Sequence, residues 1–184
     1  MTAKQKHTVL SLLCVMLLLT VGGCGYSRGS LLPSHLKTVY VDNFKNMINV
    51  GREVTEASRY TLYRPGLEND ITDAVVDRFV FDGNLRIASR EEADMVLSGK
   101  LIDYRQEPLR YDKNDNVEEY RIKITVDLEL ENTVDKEIMW KEAGFIGEAT
   151  YKKIGRLATS EDTARQEAIE DLARRIVERT VECW

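Results

Sequence analysis

Tyr120-Arg121-Ile122-Lys123-Ile124-Thr125-Val126-Asp127-Leu128-Glu129-Leu130-Glu131 is the stretch on which the fold turns. Apolar and polar residues alternate through it without a break. Successive side chains of a strand point to opposite faces, so one face goes to a core and the other to water. That is the pattern of an antiparallel sheet covered on one side. Upstream, Met95, Leu97, Gly99 and Leu101 share one face, while Val96, Ser98, Lys100 and Ile102 take the other. Downstream, Asn132 to Lys136 turns the chain. Glu137 to Gly147, carrying Ile138, Trp140 and Phe145, then returns as a further strand, with Gly144 and Gly147 as bulge sites.

The flanks change period. Thr38 to Phe44 is a β-branched and aromatic run, predicted as the first strand. Asn46 to Arg64 is polar and irregular and reads as a loop. Leu67, Ile71, Ala74, Val75 and Phe79 recur at helical spacing, with Glu68 and Asp70 at the positive end of the dipole and Asp82-Gly83 as the stop. Leu85 to Ile87 is a short second strand, parallel to the first if the crossover follows the usual hand. Thr159 or Ser160 caps a last helix whose apolar face is Ala168, Ile169, Leu172, Ala173, Ile176 and Val177, extended by Thr180. Arg165, Glu170, Arg174 and Glu178 fall on its wet side. The apolar set is broader than a coiled-coil seam, which favours packing on its own sheet over pairing with a partner helix. The expectation is an α+β two-layer sandwich, two helices packed on one face of a mixed four- to five-stranded sheet.

At the amino end, Lys4 and Lys6 precede an apolar run from Val9 to Val21, followed by Gly22-Gly23-Cys24. The run is shorter than the roughly 20 residues a spanning helix needs. Residues 1–23 therefore read as a lipoprotein signal peptide and Cys24 as the residue that takes a diacylglycerol. An ordinary secretory peptide with a coincidental cysteine is the competing reading. Residues 24–36 form a tether and 37–184 a single domain.

Of 26 Lys and Arg residues, 24 remain after processing against 31 Asp and Glu, a balance that argues against broad nucleic-acid binding. The three cysteines are Cys14, Cys24 and Cys183, so processing and lipidation leave Cys183 as the lone thiol, buried in a packed tail, free or intermolecularly bonded. His35 is the one histidine left, which removes His clusters and Ser-His-Asp sets from consideration. Asp70 with Asp73, or Glu91 with Glu92, are the acid/base pairs an enzyme would need; surface carboxylates are the commoner case. No catalytic residue, metal or cofactor is expected.

These features resemble the LptE family of lipopolysaccharide-assembly lipoproteins across essentially the whole mature chain. The carriers are Cys24-Gly25-Tyr26, Val41-Asp42-Asn43-Phe44 with Asn46, Leu67 with Ile71, Ala93-Asp94-Met95-Val96-Leu97-Ser98-Gly99, Tyr111-Asp112 before Tyr120, and Ala168 to Ile176. The resemblance implies a lipid-anchored protein on the periplasmic face of the outer membrane. It would assemble and plug an LptD-like β-barrel and assist lipopolysaccharide transport. Gly25 after the lipidated cysteine fits export to the outer membrane. The Asn46 to Arg64 stretch departs from the family pattern in length. Lipoproteins of the curli-secretion and penicillin-binding-protein-activator type share the Val-x-x-Phe and Ala-Asp-x-Val-Leu-x-Gly strands and are the alternative, as periplasmic interaction modules. For lipopolysaccharide, Arg105, Arg110 and Lys113 are the expected contacts, on a protruding Glu107 to Glu119 connection with Pro108, Leu109 and Tyr111 interleaved. Phosphates and sugars favour Arg and Lys. The competing reading is a solvated tip balanced by Asp112, Asp115, Glu118 and Glu119.

Overall fold

Every backbone amide of a long buried strand needs a partner, and here neighbouring strands on both sides supply it. The computed structural model describes residues 32–33, 35–48 and 64–182. The expected signal peptide, Cys24, most of the expected tether, residues 49–63 of the expected loop and Cys183 lie outside them. The elements are β1 (Thr38–Val41), β2 (Lys45–Asn46), α1 (Leu67–Asp82), β3 (Arg86–Ile87), β4 (Met95–Tyr111), β5 (Val117–Asn132), β6 (Glu137–Lys152) and α2 (Glu161–Glu182). The sheet runs β3-β1-β4-β5-β6, with β2 pairing β4 in line beyond β1. Pairs β1–β3, β1–β4 and β2–β4 are parallel; β4–β5 and β5–β6 are antiparallel.

Both helices cover one face of this mixed sheet, so the α+β sandwich is observed. Along β5 the side chains of Ile122, Ile124, Val126, Leu128 and Leu130 are at most 1% exposed. Each contributes about 1.5–3 kcal/mol of hydrophobic stabilisation. Leu67, Ile71, Val75 and Phe79 of α1, and the predicted apolar set of α2, fill the other half of the core. Gly83 ends α1 at φ 75. Of the two predicted caps for α2, Ser160 acts: its Oγ accepts the Thr163 N–H at 3.0 Å. Arg165, expected on the wet side, is largely covered and pairs with Asp162, because it sits where the helix start meets the Tyr104 region.

The carrier motifs touch one another. Asp94 accepts hydrogen bonds from Lys37 N–H (2.8 Å), Thr38 N–H (2.9 Å) and the Thr38 hydroxyl (2.8 Å), tying the start of β4 to the start of β1. Phe44 lies over Gly99, where an added Cβ would come within 2.1 Å of its ring. Its own N–H donates to the Thr72 hydroxyl of α1 at 3.0 Å, and the Asn46 amide donates to Glu68 at 3.2 Å. The motif residues are therefore joints between β1, β4 and α1. Leu36, at the end of the expected tether, is 4% exposed and belongs to the core.

Three boundaries differ from expectation. The first strand breaks at Asp42–Phe44 into β1 and β2. β4 continues to Tyr111, so the turn is only 112–116 and not a loop from Glu107 to Glu119. β6 runs on to Lys152. Within β4, Leu101 pairs with Val126 and Asp103 with Thr125, leaving Ile102 as a bulge. One extra residue exchanges the two faces, so Tyr104 rather than an odd-numbered residue points inward. A second register shift at Leu109 returns Arg110 to the outer side, opposite Glu119. Of the two predicted bulge sites in β6, Gly144 is one, at φ 70. Gly147 instead admits α2: a Cβ there would lie 2.4 Å from Leu172 Cβ and 2.7 Å from the Ala168 carbonyl oxygen.

Candidate functional site

The β4–β5 hairpin, flanked by β6 as far as Glu119, runs on past the start of helix α2. Helix α2 begins at Glu161, whose carboxylate accepts from Gln106 at 3.5 Å. β4 continues five residues beyond Gln106, roughly 17 Å of strand at about 3.3 Å per residue. Asp112 closes the tip. Its carboxylate accepts the N–H groups of Asn114 (2.7 Å) and Asn116 (2.9 Å) and the Asn116 amide (3.1 Å). The Asn116 amide bond first, then the Asn116 N–H, hold the Asp112 carboxyl below the usual carboxylate range. Asp115 takes the left-handed position at φ 61. This explains the Tyr111-Asp112 pair as turn chemistry.

The three predicted contacts are strung along this hairpin and do not converge on a pocket. Arg105 lies on the outer sheet face and pairs with Asp103. Arg110 reaches Glu118 and Glu119, each at 3.2 Å. Lys113 is exposed in the turn and, among the described residues, has no ion pair. The structure brings in two further cations. Lys123 stands directly across from Arg105 and contacts Glu107 at 3.6 Å, and Arg121 lies 3.8 Å from Glu148. Their signal was present in the strict alternation of β5, which puts both on the outer face. What singled them out, the places of Lys123 opposite Arg105 and of Arg121 opposite Glu107, needs the register.

The inner side of the hairpin is aromatic. Tyr120 and Tyr151 stack with centroids 5.5 Å apart, and the Lys153 ammonium sits 6.0 Å over Tyr120. Gln106 donates to the Tyr151 hydroxyl. Deeper, the fully buried Tyr104 hydroxyl has no hydrogen-bond partner among the described residues. Burial first, then the Glu161 carboxylate, pushes its pKa up against the opposing pull of Arg64 and Arg165. Leu109, Tyr111, Ile154 and Leu157 are 44–69% exposed. The hairpin is thus a two-faced finger, ion-paired outside and aromatic inside, with Lys113 at its end.

The carboxylates weighed as acid/base pairs lie on the surface. Asp70 and Asp73 are exposed on α1, and Glu91 and Glu92 are exposed in the turn before β4.

The backbone resembles several solved structures. A minor lipoprotein from Acinetobacter baumannii is 13% identical, with 80% of this chain and 94% of that one covered at a TM-score of 0.46. The rare lipoprotein B from Shewanella oneidensis is 15% identical, covering 78% and 89% at 0.41. The PelC dodecamer from Paraburkholderia phytofirmans is 15% identical, covering 79% and 91% at 0.43. Likenesses this distant carry no argument about function. No curated protein matches the chain significantly. A family model described as LptE, lipopolysaccharide-assembly, matches residues 36–180, from the core residue Leu36 through β1 and the hairpin to Thr180 in the last helix, and the chain belongs to that family.

Proposed function

We propose that this protein is a lipid-anchored component of the outer membrane that binds and helps assemble an LptD-like β-barrel, plugs it, and assists lipopolysaccharide transport to the cell surface. The family match over residues 36–180 carries this reading. The uncovered hairpin supports it by supplying a slender element of a size to enter a lumen. On this reading Cys24 takes the lipid and holds the sandwich at the periplasmic mouth of the barrel. Arg105, Arg110 and Lys113 meet the phosphates and sugars of the ligand. Lys113 makes first contact, and Arg105 and Arg110 exchange their carboxylate partners for phosphate. The role is binding, with no bond made or broken.

Affinity purification from solubilised outer membranes tests it. Recovery of a large β-barrel, together with loss of assembled barrel when this protein is depleted, is the expected result. Recovery of a peptidoglycan synthase without a barrel overturns it.

A further inference from the structure

Most arginines of this domain hold a carboxylate: Arg90, Arg110, Arg174 and Arg179 are examples, each within 3.2 Å of one. Helix α1 departs from that pattern. Asp70, Asp73 and Asp77 stand along one exposed stripe of it, and among the described residues their carboxylates have neither an ion pair nor a hydrogen bond. Only Asp70 lies in the first turn, where the helix dipole favours it. Asp73 and Asp77, four residues apart, repel each other without compensation.

The stripe ends in apolar surface. Val80 is 67% exposed and Phe81 81% exposed, with the Arg78 guanidinium 5.2 Å over the Phe81 ring. Beside it, α1 and α2 leave a groove of about 310 Å³. Ala74, Asp77, Arg78 and Phe81 of α1 and Gln166, Glu170 and Ala173 of α2 line it. Unpaired like charges and the exposed apolar surface of Val80 and Phe81 both work against the isolated fold. A single occupant relieves both.

We infer that the α1–α2 groove docks a cationic, amphipathic segment of another protein, its basic side chains meeting Asp73, Asp77 and Glu170 and an apolar side chain covering Val80 and Phe81. Charge favours this occupant: Asp73, Asp77 and Glu170 outnumber Arg78, whose guanidinium is engaged over the Phe81 ring. Anionic lipid headgroups and free phosphates are repelled by the same carboxylates, and a second copy of this stripe repels the first. The surface lies on the helical layer, away from the ion-paired outer face of the hairpin. The inference does not depend on the lipopolysaccharide reading.

A photoreactive benzophenone side chain placed at Val80 in the full chain, irradiated in host cells, tests it. The crosslinked peptide is identified by mass spectrometry. The expected adduct is a Lys- or Arg-bearing segment of another protein. Its yield should fall about tenfold when Asp73→Lys and Asp77→Lys are combined, while a crosslink from Leu157 is unaffected; a tenfold loss corresponds to ~1.4 kcal/mol. Asp73→Asn with Asp77→Asn provides the same comparison in a variant that keeps or raises its melting temperature, since it only removes repulsion. An adduct with lipid, with a second copy of this chain or with an acidic or uncharged segment, the absence of any adduct, or a yield indifferent to these substitutions each overturns the inference.

Discussion

Asp94 shows how much one side chain of a motif can hold. Burial alone would raise the pKa of its carboxyl, but bonds from Lys37 N–H, the Thr38 hydroxyl and Thr38 N–H outweigh burial and leave it below the usual carboxylate range. Asp94→Ala removes the one oxygen that accepts all three bonds and leaves two backbone donors at the start of β1 unsatisfied. The expected loss is about 2 kcal/mol of unfolding free energy, read from urea melts. The pH dependence follows from the direction of the shift. A carboxyl held low in the folded state stabilises fully above its unfolded pKa of about 3.9, and the stabilisation disappears as pH falls through the folded value. Asp94→Asn should therefore show a flatter loss of stability below about pH 5 than the parent; identical acid slopes would mean that other carboxylates dominate. The sequence placed Asp94 within a strand motif. That its oxygen accepts bonds from residues 56 and 57 positions away was not legible, because pairing of β1 beside β4 brings them together.

Strand β6 is the open edge of the sheet, sixteen residues long, and such edges invite pairing with other chains. Helix α2 closes its middle. The Asp171 carboxylate accepts the Glu148 N–H at 3.1 Å, and Arg175 donates to the Ile146 carbonyl. Thr159 N–H covers the Lys152 carbonyl at 3.1 Å. Arg175 also lies 5.4 Å over Phe145 and Arg179 5.0 Å over Trp140. Asp171→Ala combined with Arg175→Ala should expose the edge and produce concentration-dependent self-association in sedimentation velocity. A variant that stays monomeric at every concentration would show that the Gly144 bulge alone protects the strand. The hairpin makes the opposite prediction, about binding. Reversing Arg110 and Lys113 together should weaken lipopolysaccharide binding by purified protein about fivefold, on the order of 1 kcal/mol. Lys113→Glu alone should account for most of this, since Lys113 has no carboxylate to release. Unchanged binding would remove the hairpin from the proposed site. At this scale the alternation of β5 and the stripes of both helices were read correctly. The extension of β4 to Tyr111 was not, because Arg105 to Arg110 alternates poorly around two register shifts.

For the molecule as a whole, the proposed anchor at Cys24 would link fold to place. If Cys24 carries the lipid, Cys24→Ala should release the protein from the membrane fraction while its circular dichroism melt is unchanged. A variant still recovered with outer membranes through its own acyl chain would contradict the assignment. Period and turn chemistry were enough to establish the α+β sandwich, the helix stop at Gly83 and a cap at Thr159 or Ser160, because alternation, capping and turn chemistry act over a few residues, while the family was legible as a resemblance in the order of its motifs. Three features rest on tertiary structure. The Ile102 bulge turned Tyr104 into the core, Gly147 admitted α2 against β6, and the two helices came together with Asp77 and Glu170 lining one groove. Each depends on the register between strands or the approach of elements distant in the chain. A one-residue slip or a single missing Cβ decides such contacts, and no local pattern encodes either.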